Sequence, residues 1–344
     1  MPADQLHPVV VIGVGSIGER HVRCFQATGC CDVSFVEINP SLRQSVAERY
    51  GVRGYESLAE ALAAKPTAAV VAVPAHLHLP IATQLAAAGV HLLIEKPLST
   101  TTQGVAELQT QVTQQRLVCG VAYVYRSHPV LTAMREAVLS GRFGNPVELV
   151  AVCGQHFPTY RPAYREIYYK DRATGGGAIQ DALTHILNAG EWLVGRITRL
   201  VADAEHQLLP GVTVEDTVHI LARHGRVQAS YALNQHQAPN ETTITVVCER
   251  GTVRFEAHEC RWRWQTTPGE SWHDETFPPL ERDTLFIEQA RLFLEAVEGK
   301  RPVTCSLDEG AATLRVNLAA LASCEQRAWQ EVGNEALFMK ETLQ

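Results

Sequence analysis

This chain has few charges and no long apolar run. Only 19% of its 344 residues are Asp, Glu, Lys or Arg. No stretch approaches the ~18 to 20 apolar residues of a membrane span, which excludes a membrane-spanning class. The opening MPADQLHP has neither the basic region nor the apolar core of a secretory leader. The nine cysteines are scattered and odd in number; Cys30-Cys31 is their one close pair, and C-x-x-C is missing. That excludes a disulfide scaffold and suits a reducing cytoplasm with structural thiols. There is no internal repeat, no low-complexity tract and no basic excess. The 30 basic and 37 acidic side chains leave a net charge of -7. This argues against non-specific binding to nucleic acid or anionic membrane, while leaving room for a local basic pocket. What is present is ordinary for a globular chain: 46% apolar residues, over a length that exceeds one hydrophobic core. Two domains are expected.

Up to residue 123 the chain alternates strand and helix signals. Short apolar runs at 9–14, 32–37, 68–73, 90–95 and 117–123 read as buried parallel strands. Between them, helices are predicted over 16–28, from Asn39-Pro40, and over 57–64, 78–88 and 101–115. Asn39 caps and Pro40 takes the first helical position, while Gly29 and Gly89 end helices. Such alternation implies a parallel sheet with right-handed crossovers. The rhythm then changes. Candidate strands at 147–156, 198–207, 214–223, 226–234, 241–248, 251–257 and 260–265 follow at close spacing. Turns such as His224-Gly225 and Arg250-Gly251 join them, so a large, mostly antiparallel open sheet is expected. Helices are predicted at 129–140 and 178–194, and near 284–298 and 308–330. The domains are set at 1–123 and 124–344, the closing helices being free to pack on either.

Three short segments carry chemistry. Gly13-Val14-Gly15-Ser16-Ile17-Gly18 is G-x-G-x-x-G between a strand and a helix. Gly13 permits the tight turn, Gly15 lets a pyrophosphate approach the backbone, and Gly18 lets helix and strand pack closely. The free N–H groups and dipole of the helix start favour the anion. Glu37 ends the second strand, nineteen residues on, where a carboxylate accepts from ribose hydroxyls and repels a 2′-phosphate. NAD is therefore favoured over NADP. Glu95-Lys96-Pro97 lies just past the strand at 90–95, at the ligand-binding end of an open α/β sheet. Pro97 biases Lys96 toward extended backbone, from which its amine could bond a substrate oxygen. Without the glycine loop, a surface lysine would be the plainer reading. Finally, Gly175-Gly176-Gly177 precedes a helix in which Asp181 and His185 are i and i+4, sharing a face about 6 Å apart along the axis. A histidine suits the proton that leaves a hydroxyl when hydride leaves its carbon, and a carboxylate can orient the ring. Taken alone, the pair also fits a helix-start aspartate and an amphipathic-face histidine.

In this order, these elements resemble the Gfo/Idh/MocA family of glucose-fructose oxidoreductase and inositol dehydrogenase-like enzymes. The resemblance runs through VIGVGSIGERH, AVPAHLHLPIATQLAAAGVHLLIEKPLSTT, YRSHPVL, SGRFGNP, GGGAIQDALTH and ERGTV. It implies an α/β Rossmann dinucleotide-binding domain plus an α+β domain. It implies that Lys96, Asp181 and His185 meet at the nicotinamide, with His185 as general base and Lys96 on the reacting oxygen. Cofactor contacts are carried to Gly13, Gly15, Ser16, Ile17, Gly18, Glu37, Val73, Pro74, His78, Glu95 and Lys96. Relatives act on sugars, nucleotide sugars or cyclitols, and many associate through the second-domain sheet, so a homodimer or homotetramer is expected. The chain departs from the pattern at Ala75, where relatives often have Asn or Thr, and in the spacer Ala182-Leu183-Thr184. These changes bear on the substrate. His76 and His78 form H-x-H without a nearby third ligand, so no metal is expected. Substrate contacts are expected from Arg126, His156, Tyr160, Arg161, Tyr164, Arg165 and His236, besides Asp181 and His185. Together with Lys170 and Arg172, the arginines are compatible with an anionic sugar. The activity implied is an NAD-dependent oxidoreductase acting on a secondary alcohol. The alternatives are a glycosidase or lyase working by transient sugar oxidation, and a non-catalytic NAD-binding regulator.

Overall fold

The computed structural model describes residues 6–333. Its first elements are β1 (His7–Ile12), α1 (Ser16–Ala27), β2 (Cys31–Val36), α2 (Pro40–Tyr50), β3 (Arg53–Tyr55) and α3 (Leu58–Ala63). Next come β4 (Ala68–Val71), α4 (His78–Ala87), β5 (His91–Ile94), α5 (Val105–Gln114) and β6 (Cys119–Val121). There follow α6 (Pro129–Leu139), β7 (Pro146–Gly154), the single turn α7 (Phe157–Tyr160), and a π-turn, Ile179–Leu183, that runs into α8 (Thr184–Val194). Six strands come after it: β8 (Arg199–Glu205), β9 (Thr217–His224), β10 (Val227–Asn234), β11 (Glu241–Cys248), β12 (Gly251–Glu256) and β13 (Arg261–Gln265). The last described elements are β14 (His273–Thr276), α9 (Thr284–Val297), α10 (Leu307–Gln326) and β15 (Gln330–Glu331).

The chain divides into two compact units. One takes in the chain up to His128 together with Leu280–Ala311; the other has Pro129–Pro279 and the chain from Ala312 onward. Helix α9 thus belongs to the first unit.

In the first unit six parallel strands lie in the order β3-β2-β1-β4-β5-β6. The order reverses between β1 and β4, where α/β sheets open a crevice at the strands' carboxyl ends. Val9 and Ala68 on one face and Val10 and Ala69 on the other are all buried, as a parallel sheet covered on both faces requires. Phe25 of α1 and Phe293 of α9 meet edge to face in this core. Asn39 caps α2 as its sequence predicts, its side chain accepting from Ser41 and Leu42 N–H. The helix predicted over 101–115 begins only at Val105, because Gly104 takes a left-handed φ of +83° just before it.

The second unit holds nine strands in the order β14-β13-β12-β11-β7-β10-β9-β8-β15. Among the described residues, only its central β7–β10 pair is parallel. Burial alternates along β9 and β10, so one face is covered and the other is open. Tyr231 shows how close the covering is. A Cβ on Gly190 of α8 would stand 2.1 Å from its hydroxyl. Other elements also depart from expectation. Strands β3 and β14 are too short, or too polar, to show as apolar runs. Helix α10 stops at Gln326, before left-handed Arg327, and the chain then pairs as β15 rather than staying helical to residue 330.

Candidate active site

The candidate residues fall into two groups, one in each unit. The first begins at the loop after β1. Gly13 has φ +83°, and a Cβ there would meet Val73 Cγ1 at 2.9 Å. A Cβ on Gly18 would stand 1.9 Å from Gly13 O, so only glycine lets α1 seat on the loop. Gly15, by contrast, has nothing within 4 Å of its would-be Cβ, and it caps α1 without any side-chain bond. Exposed Gly15 and Ser16 thus present a bare helix start to solvent. Glu37, at the end of β2, reaches the same loop. Its Oε2 accepts from Val14 N–H at 3.2 Å and its Oε1 from Asn39 N–H at 2.9 Å. Arg43 donates to the Glu37 carbonyl at 2.6 Å and pairs with Glu56 at 3.4 Å. A close-packed turn, an open helix start and a carboxylate at the second strand end fit a dinucleotide with free ribose hydroxyls.

Behind β4 and β5 the motif residues lock one another in place. His78 is buried, with Nδ1 2.9 Å from Pro97 O and Nε2 2.8 Å from Val73 O. It ties the chain after β4 to the chain after β5. Burial holds its pKa below the usual imidazole range, against the pull of these carbonyls and of Glu95. Glu95 is buried too. Its Oε1 accepts from His21 Nε2 at 2.7 Å and its Oε2 from Lys96 N–H at 2.9 Å. Burial pushes this carboxyl up, but His21 and Lys96 outweigh burial and hold it below the usual range. Lys96 follows, half-buried, and its peptide bond to Pro97 is cis. Arg126 is 4% exposed and pairs with Glu309 at 2.7 Å inside the first unit.

In the second unit Asp181 sits within the π-turn and His185 in the first turn of α8. The wider π-turn replaces the regular α spacing expected between them. Asp181 is buried and His185 half-buried. Glu215, with a fully buried carboxylate, holds the start of this segment. Its Oε1 accepts from Ile179 N–H at 3.1 Å, its backbone carbonyl from Ala178 N–H at 3.0 Å, and its Oε2 from Arg172 Nε at 2.8 Å. A Cβ on Gly177 would overlap that carboxylate, which explains one glycine of the tract. Helix α10 braces α8 through buried bonds, with Asn317 donating to Thr184 at 2.8 Å and Asn188 to Thr313 at 2.9 Å. Glu215 belongs to no segment the sequence singled out, and His21, which closes VIGVGSIGERH, carries no expected role there.

The remaining expected substrate residues occupy different situations. Tyr160 is 50% exposed and Arg161 is exposed. His156 is half-buried, its Nδ1 2.7 Å from Thr159 Oγ1, and His236 Nε2 lies 3.0 Å from Thr217 Oγ1. Tyr164 instead is 1% exposed and packs with Phe157, Tyr169 and Leu209. Its hydroxyl donates to Pro210 O at 2.7 Å, and Arg165 Nε donates to the same carbonyl at 2.9 Å. These two side chains build the loop. His76 is exposed, apart from buried His78. Among the described residues no group of three or more His, Cys, Asp and Glu is placed to hold a metal ion. Nor is any described helix long and apolar enough to cross a membrane.

Fold and loop together define a dinucleotide-binding protein with a second, open-sheet unit. Comparison with known proteins narrows that class. Residues 8–123 match the oxidoreductase family described as having an NAD-binding Rossmann fold, and residues 131–254 match the Gfo/Idh/MocA C-terminal domain. The chain belongs to the Gfo/Idh/MocA family of NAD-binding oxidoreductases. It is similar to UDP-N-acetylglucosamine 3-dehydrogenase of Acidithiobacillus ferrooxidans, at 28% identity over 333 residues, covering 90% of this chain and 94% of that one. It is 22% identical to inositol 2-dehydrogenase of Rhizobium meliloti over 332 residues, covering 92% and 96%. Its fold matches that of levoglucosan dehydrogenase, solved with NADH and levoglucosan, with a TM-score of 0.86 at 20% identity over 96% of this chain and 100% of that one.

Proposed function

We propose that this enzyme transfers hydride between NAD and a secondary alcohol carbon of a sugar, sugar derivative or cyclitol. The observation that carries the reading is the Asp181–His185 segment. It sets a buried carboxylate and a half-buried imidazole at a helix opening that Glu215, Arg172 and α10 hold in place. Such bracing suits a proton acceptor whose orientation must be fixed before reaction. The names of the two relatives, one for a nucleotide sugar and one for a cyclitol, support the substrate class.

Gly13, Gly15, Ser16, Ile17 and Gly18 would hold the pyrophosphate at the start of α1, Glu37 the adenosine ribose, and Val73, Pro74, His78 and Glu95 the path to the nicotinamide end. When bound, NAD⁺ supplies the acceptor for the two electrons and hydrogen that leave the carbinol carbon. His185 takes the hydroxyl proton, so alcohol becomes ketone with charge balanced. Asp181 orients the imidazole and stabilises its cation. Lys96 donates to the reacting oxygen and stabilises negative charge there. Arg126, His156, Tyr160, Arg161 and His236 are proposed to bind the rest of the sugar, with Tyr164 and Arg165 supporting the loop of His156, Tyr160 and Arg161. The enzyme is read as cytoplasmic, and as a homo-oligomer formed through the open face of the second sheet. There, Val152 and Leu221 are 52% and 56% exposed beside Ser230 and Ala232.

The test is NAD⁺ reduction across sugars, uronates, nucleotide sugars and inositols. NADH accumulating in step with ketone is the expected result. Glycoside cleavage without NADH would point to transient oxidation instead. No turnover with any of these, alongside tight binding of a protein partner, would point to a regulator.

A further inference from the structure

Tyr168 lies outside every sequence motif, thirteen residues before Asp181, yet its hydroxyl donates to Asp181 Oδ1 at 2.6 Å. That is a short O–H···O hydrogen bond. A phenol keeps its proton at neutral pH, so Tyr168 is the donor.

The local chain is built to deliver this hydroxyl. The Tyr168 carbonyl accepts from Thr174 Oγ1 at 2.9 Å and from Asp171 N–H at 3.1 Å. Asp171 Oδ1 in turn accepts from Ala173 N–H at 2.9 Å. Gly176 N–H then donates to Asp171 O at 2.9 Å and Gly177 N–H to Tyr169 O at 3.1 Å. A Cβ on Gly176 would stand 2.2 Å from Tyr169 O, so the glycine tract lets the chain fold back over Tyr168-Tyr169 before the helix opens. Tyr169 anchors the next position. Its ring is fully buried against Phe157 and Tyr164, and its hydroxyl is bonded to Gln235. The surroundings are acidic. Glu215 and Asp216 act on Tyr169 together with Asp181, and Arg172 balances Glu215.

We propose that Tyr168 is a positioning residue, whose hydroxyl holds the Asp181 carboxylate oriented for service to His185. The inference rests on the proposed roles of Asp181 and His185. A donor to the charged form favours that form and draws charge from it. Without the hydroxyl the carboxylate turns more freely and is more basic, so it holds a protonated His185 more tightly.

Tyr168→Phe keeps the ring and removes one oxygen. The expected result is a fall in kcat of about tenfold, the loss of one hydrogen bond to a charged group. The KM for NAD⁺ and the affinity for NADH stay at wild-type values, and the acid limb of the kcat/KM profile for alcohol oxidation moves to higher pH. In an Asp181→Asn background the same substitution costs less than about twofold, because the two groups are coupled. A pH profile that superimposes on wild type, or a full additional loss in the Asp181→Asn background, overturns the proposal. His185→Ala separates the two levels of argument. If it retains wild-type kcat/KM, the reading of the site falls and this inference falls with it. If it is impaired while Tyr168→Phe matches wild type, the Tyr168 inference alone fails.

Discussion

Gly13, Gly15 and Gly18 answer three different demands within six residues, and each demand can be measured. Gly18 is held by a backbone atom, Gly13 O, 1.9 Å from any added Cβ, so Gly18→Ala must push α1 off the loop. It should lower the melting temperature and weaken NADH binding together. A Cβ on Gly15 meets no protein atom within 4 Å. Gly15→Ala should therefore leave thermal stability near wild type and still weaken NADH at least about tenfold, because the methyl occupies the approach to the helix start. Calorimetric binding and melting curves on both variants check this, and an unchanged NADH affinity in Gly15→Ala would contradict the placement of the pyrophosphate. Glu37 gives a further prediction. Glu37→Ala removes the carboxylate that would repel a 2′-phosphate, so the ratio of kcat/KM for NADP⁺ over NAD⁺ should rise at least about tenfold. A constant ratio would reject Glu37 as the ribose selector.

Among the elements, the β9–β10 hairpin carries a titration that reports on folding. Burial holds His224 down to about 4 from its ordinary 6.5, against the pull of the Gly195 carbonyl. Its ring lies 2.5 Å from Gly195 O, at the end of α8, and 2.8 Å from Tyr231 Oη. Between those two pH values the unfolded chain binds a proton that the folded one refuses. The contribution is therefore complete above pH 6.5 and is lost as pH falls toward 4, about 3 kcal/mol in all. Urea unfolding across this range should show stability falling with acidity, and His224→Gln should flatten part of the slope. An unaltered slope would mean that other groups carry it. The same scale shows what was legible in the sequence. Buried parallel strands are short unbroken apolar runs, and Asn39-Pro40 or Gly89 punctuate helices locally, so most of the first unit could be read off. Strand β3 could not, because it has three residues and its Gly54 is packed under Phe35 and Arg43. Spacing gave Asp181 and His185 together but no sign of the π-turn between them. Glu215, His21 and Tyr168 act across 36, 74 and 13 residues of sequence, distances that local periodicity does not encode.

At the scale of the whole molecule, the chain divides its candidate chemistry between two units. The glycine loop, Glu37 and Lys96 belong to the first, and Asp181 and His185 to the second. The sequence changes rhythm near residue 123, from strand-helix alternation to close-spaced strands, while the first unit runs to His128 and also takes Leu280–Ala311. The rhythm left open which unit takes the closing helices, because an amphipathic helix does not name the surface it will cover; α9 packs in the first unit, with Phe293 in that core. The open face of the nine-stranded sheet leads to a prediction about assembly. Val152 and Leu221 present apolar surface at its centre, and a second copy of the chain would cover it. Light scattering should find a dimer or tetramer, and Leu221→Glu should shift it toward monomer. A monomeric wild type would contradict the assignment.

Lys96 and His185 are each proposed to serve the hydride transfer. Kinetics of Lys96→Ala and His185→Ala with a substrate found by NAD⁺ reduction test these roles most directly, with NADH affinity measured on the same samples. Each substitution should lower kcat/KM at least about a hundredfold, a loss of about 2.7 kcal/mol or more of transition-state stabilisation, with NADH affinity within about twofold of wild type. Wild-type kcat/KM in both variants would contradict them.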